Sequence, residues 1–350
     1  MTAMFWTIDV MLMTFGCSIN LTTKSNLFLI INWIFRLWLI LDTIHHLIVK
    51  LHKPSHMFTG IMEDISFTTA IIVTQVILTM KHFKIRHMLR KITSRVDVYT
   101  QQYLTILSIL LVIRYSFSLM VGFGYTLTIL TNNALYEKSI RNYLFWVNEY
   151  TSLHRAIFTA MRWFKGLCRD LWFLIGLTIY VYIAVAIERL TYQRMEFGLR
   201  ANSLDDMHQL LHIKQRIVVM KEEFEGTFNL LPLIWLNYIF QSATGTFATH
   251  GDVKTWFLVE LVQSLITVFG AIFFINYNRN RCHQLNRRIL IRFLNKWNLN
   301  TCPNIEYIKS ELLFDIEYTA FGLFKLDNGL ILSFMSGLVT FTVMFLQMKL

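Results

Sequence analysis

Hydrophobic positions along the chain fall into long uninterrupted runs, separated by polar stretches that keep a helical rhythm. Apolar runs at about 27–49, 59–80, 103–130, 171–187, 227–247, 256–277 and 330–350 are each near the length needed to cross a bilayer as an α-helix. They predict seven transmembrane helices. Residues 1–26 read as a short amphipathic lead-in. Residues 188–226 are too polar for lipid. Yet Leu210, Leu211, Ile213, Ile217, Val218 and Phe224 recur there at helical spacing. Ser203 stands three residues before Asp206, the spacing of a capping box. Pro232, just inside the fifth run, predicts a kink. Residues 278–329 form a second polar helical block, with a turn at Asn298–Asn304 that holds Cys302 and Pro303. Both blocks are expected to project into water and pack as anchor helices. Between the third and fourth runs, Leu144–Trp163 is rich in aromatics but broken by Asn148, Glu149, His154 and Arg155. It fits an interfacial helix or loop, or an extension leading into the fourth span.

Composition strengthens the helical reading. The chain is 55% hydrophobic and 16% charged, with 14 Gly and 3 Pro. A soluble domain averages about 25% charged residues, and scarce Gly and Pro favour long helices over β structure. The fold class expected is therefore all-α, a polytopic membrane protein. A formal net charge of +11 could point to nucleic acid. Basic cytosolic loops explain it more simply. Placing the loops after spans two, four and six on one side gathers twenty Lys and Arg residues there, against ten opposite. That puts the N-terminus in the cytosol and the C-terminus outside.

Candidate chemistry is sparse. Cys17, Cys168, Cys282 and Cys302 lack metal-ligand spacing, and the adjacent His45 and His46 point in different directions on a helix. No convergent set of nucleophiles, acids or metal ligands marks an enzyme. Neither a metal, a cofactor nor a nucleic-acid partner is expected; the bilayer is.

The last run carries a pattern of its own. At about 100° per residue, Gly329, Ser333, Ser336, Gly337, Thr340, Met344 and Gln347 share one narrow face. Ile331, Met335, Leu338, Val339, Thr342, Phe345 and Leu346 share the other. The small-and-polar stripe has two readings. Gly329, Ser333 and Gly337 are spaced by four, which allows close helix packing. Alternatively the stripe lines a water-filled pore.

Residues Thr340-Phe341, then Thr342 to Leu346, then Gln347-Met348 resemble the C-terminal signature of the insect gustatory receptors. That signature is Thr-Tyr, five hydrophobic residues, then Gln-Phe. Upstream, Tyr318 to Asp327 is similar to the family's run of Thr-Ala, an aromatic-flanked Gly and Leu-Asp. Two positions depart from the pattern, Phe341 and Met348, and Phe341 lacks the hydroxyl. The resemblance implies the odorant-receptor-like fold of the insect chemoreceptor superfamily. It implies a homo- or hetero-tetramer with other gustatory receptor subunits, held by cytosolic anchor helices around a pore lined by the seventh helices. It further implies a ligand-gated, non-selective cation channel in the plasma membrane of chemosensory neurons, detecting a small-molecule tastant. No match to the sugar or carbon dioxide branches stands out, which leaves a bitter or orphan-type ligand.

On that basis Ser336, Thr340, Met344 and Gln347 are expected to line the pore, with Met348 beside Gln347 at the constriction. For the ligand, Trp172, Tyr238, Gln241, Glu260 and Gln263 fall at the outer ends of spans four to six. Aromatic walls with a few polar groups suit a small-molecule site. Interfacial aromatic residues, or a salt bridge to Glu260, would give the same pattern. Two other classes of membrane protein have recognisable marks. A G-protein-coupled receptor would carry Asp-Arg-Tyr after span three and Asn-Pro-x-x-Tyr in span seven, and both are absent. A transporter would show a repeat between halves or paired broken helices.

Overall fold

The computed structural model describes residues 65–93 and 98–147 apart from scattered positions, then 149–168, 171–200, 203–248, 254–296 and 305–347, together with five residues between 37 and 48. The expected lead-in, most of the first span and the Asn298–Asn304 turn lie outside the described residues. Helical positions between 65 and 80 lead through Lys81 into α1 (His82–Thr93). Then come α2 (Val98–Thr131), α3 (Asn133–Tyr143), α4 (Ser152–Cys168) and α5 (Leu171–Glu196). A 3-10 turn, Phe197–Arg200, precedes α6 (Leu204–Phe228), α7 (Leu230–Ala248) and α8 (Lys254–Lys296). The chain continues through α9 (Ile305–Leu313), β1 (Thr319–Ala320), β2 (Phe324–Lys325) and α10 (Asn328–Gln347).

α5 is the central post. Every side chain from Leu177 to Glu188 is buried, as expected of a helix that is apolar around its circumference. α2, α6 and α8 pack along it. On the outside, α2 presents Ile106, Ile109, Ile113, Phe117, Met120 and Leu127 as an exposed apolar stripe. α2 and the Leu258–Lys296 part of α8 are long and apolar enough to cross a membrane, by length and composition. The exposed face of α8 changes along its length. It shows Leu258, Val262, Ile266, Phe273 and Tyr277, then Arg287, Arg288, Arg292 and Lys296. An apolar exposed face suits lipid and a charged one suits water. The change falls where the sixth span is expected to end.

Beyond that level a second, separate core forms. Met195 of α5, Leu210 and Leu211 of α6, Ile289 and Phe293 of α8 and Leu312 of α9 pack together. The capping box at the start of α6 is present: Ser203 Oγ accepts from the Asp206 N–H, and the Asp206 carboxylate accepts from the Ser203 N–H at 2.9 Å. Lys214 is buried, and its ammonium donates to the carbonyls of Glu311, at 2.6 Å, and Leu312, where α9 ends. A cation there answers the orphan carbonyls of a helix terminus. Burial pulls the Lys214 ammonium down to about 8.

Two expectations shift. The stretch between the third and fourth runs forms two helices, α3 and α4. Asn132 caps the first, its side-chain oxygen accepting from the Leu135 N–H at 3.2 Å. Near Pro232, Asn229 alone separates α6 from α7, and it keeps helical dihedrals, φ −56° and ψ −25°, with its N–H bonded to the Glu225 carbonyl. Pro232 occupies the first turn of α7, where a missing N–H costs nothing. The carbonyl four residues back, at Phe228, is the one left without its helical N–H donor.

Candidate functional site

The segment between α9 and α10 carries the chemistry that positions the last helix. It is a linker fixed to α5, α6, α8 and Asn229. Its centre is a buried ionic cluster. Lys221 Nζ of α6 lies 2.6 Å from Glu188 Oε1 of α5 and 2.7 Å from Asp315 Oδ1 of the linker. Arg279 Nε of α8 reaches Asp315 Oδ2 at 3.1 Å, and His283 Nε2 approaches the same oxygen at 3.3 Å. The Tyr318 hydroxyl donates to Glu188 Oε1 at 2.8 Å. The Cys282 thiol donates to the Glu188 carbonyl at 3.1 Å.

Charge and burial oppose each other throughout this cluster. Burial works against the Lys221 ammonium, but Glu188 and Asp315 outweigh it and raise its pKa. Burial pushes the Asp315 carboxyl up, yet hydrogen bonding to His283 and the charges of Lys221 and Arg279 hold it well below the usual carboxylate range. The Tyr318 phenol is pushed well above its ordinary value, first by burial and then by Glu188.

Next along the linker, the Glu225 carboxylate accepts from the Thr319 hydroxyl at 2.9 Å and the Thr319 N–H at 3.2 Å. Burial raises this acid to about 7. β1 and β2 then pair antiparallel, Thr319 opposite Lys325 and Ala320 opposite Phe324. The turn between them places Phe321 at φ 56° and Gly322 at φ 73°. Two consecutive left-handed residues are the mark of a type I′ turn. Glycine adopts that conformation freely, but phenylalanine is strained by it. The Phe321 N–H donates to the carbonyl of Asn229 at 2.7 Å. Finally, Asn276 Nδ2 donates to the Leu326 carbonyl at 2.8 Å, and Asp327 Oδ1 accepts from the Leu330 N–H at 2.9 Å, capping α10.

α10 packs through an aromatic edge. Phe341 meets Phe240 of α7 at 5.4 Å between ring centroids, and Phe334 meets Phe269 of α8 at 5.5 Å. Leu338 is buried on the same side. Ser336, Thr340, Met344 and Gln347 are exposed, beside the equally exposed Leu332, Val339 and Val343. Met348 lies outside the described residues. Nothing stands within 4 Å of where a Cβ would project from Gly337, and Gly329 meets only Asp327. Among the described residues, then, the small-residue spacing brings no other helix of this chain close. Phe341, which departs from the signature, is a packing residue here.

The expected ligand residues divide. Tyr238 of α7 and Glu260 of α8 are both buried, the phenol donating to Glu260 Oε1 at 3.1 Å. Gln263 is buried one turn below Glu260, with its amide 3.2 Å from the Ser118 hydroxyl of α2. With its oxygen turned to that side it also accepts from Arg114. Arg114 in turn donates to Ser118 and Thr267. Gln241 is half-buried one turn along α7 from Tyr238. The side chain of Trp172 lies outside the described residues. α2, α7 and α8 therefore converge on a polar cluster set in apolar surroundings.

The polar cluster and the linker are joined by a row of aromatic rings. Tyr238 lies 5.8 Å from Phe173, Phe173 6.0 Å from Trp235, and Trp235 5.5 Å from Tyr180. Tyr180 lies 4.9 Å from Phe224, and Phe224 5.6 Å from Tyr318 of the linker. Sequence reasoning missed both this row and the ionic cluster, because their members come from α5, α6, α7, α8 and the linker. One signal was present: Glu188, an acid directly following the fourth apolar run.

These helices define an all-helical fold of the odorant-receptor type. It is similar to the solved insect olfactory receptor OR5 from Machilis hrabei in complex with eugenol, at TM-score 0.70 and 12% identity, over 98% of this chain and 97% of that one. A second structure of the same receptor matches at TM-score 0.67, with 12% identity and the same coverage. No protein-family model matches the sequence, and no curated protein matches it.

Proposed function

We propose that the chain is a gustatory-type chemoreceptor subunit, a ligand-gated non-selective cation channel that detects a bitter or orphan-type tastant. Four subunits, identical or mixed, surround a pore lined by Ser336, Thr340, Met344, Gln347 and Met348 of the seventh span. The N-terminus is cytosolic, and the protein resides in the plasma membrane of chemosensory neurons. The observation that carries this reading is the likeness of fold, over 98% of the chain, to an olfactory receptor solved with eugenol bound. The resemblance of the 340–348 stretch to the gustatory signature adds the modality. Ligand binds near Tyr238, Gln241, Glu260 and Gln263, and the aromatic row carries its effect to the linker ahead of α10.

The test is expression in a heterologous cell under voltage clamp, with a panel of bitter and aromatic compounds. A ligand-evoked cation current in excised patches supports the channel. A response that appears only through second messengers, with no current in excised patches, overturns it.

A further inference from the structure

We propose that the groove between α7, α10 and the β1–β2 hairpin seats one phospholipid with a zwitterionic headgroup, drawn from the inner leaflet. This rests on the membrane-spanning reading above. The groove has a volume of about 670 Å³, within the range of about 300–1,000 Å³ typical of small-molecule sites. Its walls and its rim differ in chemistry. Leu236, Phe240 and Phe334 supply an apolar wall along α7 and α10, and Lys325 and Asp327 supply charges where the hairpin meets α10. Leu326, between them, is buried, and its carbonyl is held by Asn276, while Lys325 and Asp327 line the groove.

A cation and an anion side by side, under an apolar wall, complement a phosphate and an ammonium carried on acyl chains. Lys325 gives one contact to Glu317 at 2.7 Å, is 64% exposed, and keeps further N–H donors. Asp327 uses Oδ1 to cap α10. Its second oxygen takes no hydrogen bond among the described residues. An anionic lipid would bring a net negative headgroup against that carboxylate. A free phosphate ion would make no use of the apolar wall.

The experiment uses the full chain in nanodiscs of phosphatidylcholine and phosphatidylglycerol in equal parts, with a photoactivatable acyl chain on one lipid at a time. Labelled peptides are mapped by mass spectrometry. The expected result is phosphatidylcholine label concentrated in peptides covering 233–240 and 323–334, well above that on the exposed stripe of α2. Ser333→Trp, at an exposed position lining the groove, is expected to reduce it several-fold. Asp327→Asn keeps a side-chain oxygen for the cap and is expected to move the preference toward phosphatidylglycerol. Equal labelling of the groove and the α2 stripe overturns the proposal, as does equal labelling of the wild type by both lipids. A disulfide between Leu236→Cys in one copy and Val339→Cys in another, with the groove unlabelled, overturns it in favour of a second copy of this chain. No lipid label even on the α2 stripe would instead sink the membrane reading beneath it.

Discussion

Lys221 and Glu188 meet at 2.6 Å where neither side chain touches water, one being 1% and the other 0% exposed. Bringing two such charges into the interior is costly; Asp315 and Tyr318 offset part of that cost with hydrogen bonds to the pair, while Glu188 Oε2 stays buried without a hydrogen-bond partner among the described residues. Lys221→Met leaves Glu188 buried without its cation. The expected loss is about 3–5 kcal/mol of stability, read as a lower unfolding temperature of the purified protein. Adding Glu188→Leu removes the stranded charge and should recover much of the loss. A Lys221→Met protein as stable as the wild type would show that the pair is not what holds α5 to α6.

Glu225 makes stability depend on pH in the sense opposite to a salt-bridged acid. Burial raises it from 4.5 to about 7 in the folded chain. The folded state therefore holds its proton more tightly than the unfolded state. This contribution is fully present below pH 4.5 and is lost as pH rises to about 7. Glu225→Gln keeps an acceptor for Thr319 and removes the titration. The variant should match the wild type near pH 4 and exceed it above pH 7, by on the order of 3 kcal/mol at most. Unfolding temperatures measured across this pH range decide it; parallel curves refute it.

Under the proposed channel function, the aromatic row predicts a split between ligand sensing and response. Trp235→Leu removes its middle link while leaving the Tyr238–Glu260 hydrogen bond in place. Peak ligand-evoked current should fall with little change in the half-maximal concentration, and Trp235→Phe should restore much of it. Tyr238→Phe should instead raise the half-maximal concentration. If Trp235→Leu and Tyr238→Phe alter the dose–response curve in the same way, the row is not a coupling path.

Accessibility along α10 separates its faces. Under the proposed pore, Thr340→Cys and Gln347→Cys are expected to make the current sensitive to charged thiol reagents applied from outside. Leu338→Cys, at a position only 8% exposed, should stay unreactive. Equal modification of all three positions, or of none, contradicts a pore lined by this helix.

Gly124 permits the close approach of α2 and α8. A Cβ there would stand 2.9 Å from Trp256 Cζ2, in a ring fixed by its N–H bond to Thr128 Oγ1 at 3.0 Å. Gly124→Ala should destabilise the protein by about 1–3 kcal/mol, again visible in the unfolding temperature.

Local signals in the sequence carried much of the architecture. The Ser203–Asp206 capping box and the polar helix behind it were legible, because a cap and a 3.6-residue period need only neighbours along the chain. The composite face of α10 was legible for the same reason, although which edge packs inward was not. Leu338 falls on the apolar side of the wheel, but the inward edge turns on Phe334 and Phe341 meeting rings from α7 and α8. The ionic cluster was not legible. Lys221 lies 33 residues from Glu188 and 94 from Asp315 in sequence, and nothing local to any of them announces the others. Tyr238 and Glu260 could each be singled out as polar groups in apolar runs. Their hydrogen bond depends on how α7 turns back along α8.

The linker ahead of α10 also bears on how the chain is made. Its described anchoring groups (Glu188, Lys221, Glu225, Asn229, Asn276, Arg279 and His283) all precede it in sequence. Synthesis from the N-terminus therefore delivers the receiving surface before the segment that docks on it. The strained turn at Phe321 then forms against an acceptor already in place, the Asn229 carbonyl at the junction of α6 and α7. These are contacts of high sequence separation, which close slowly. Biogenesis thus ends in a check: the hairpin can lock only onto a bundle whose α5, α6 and α8 are correctly registered.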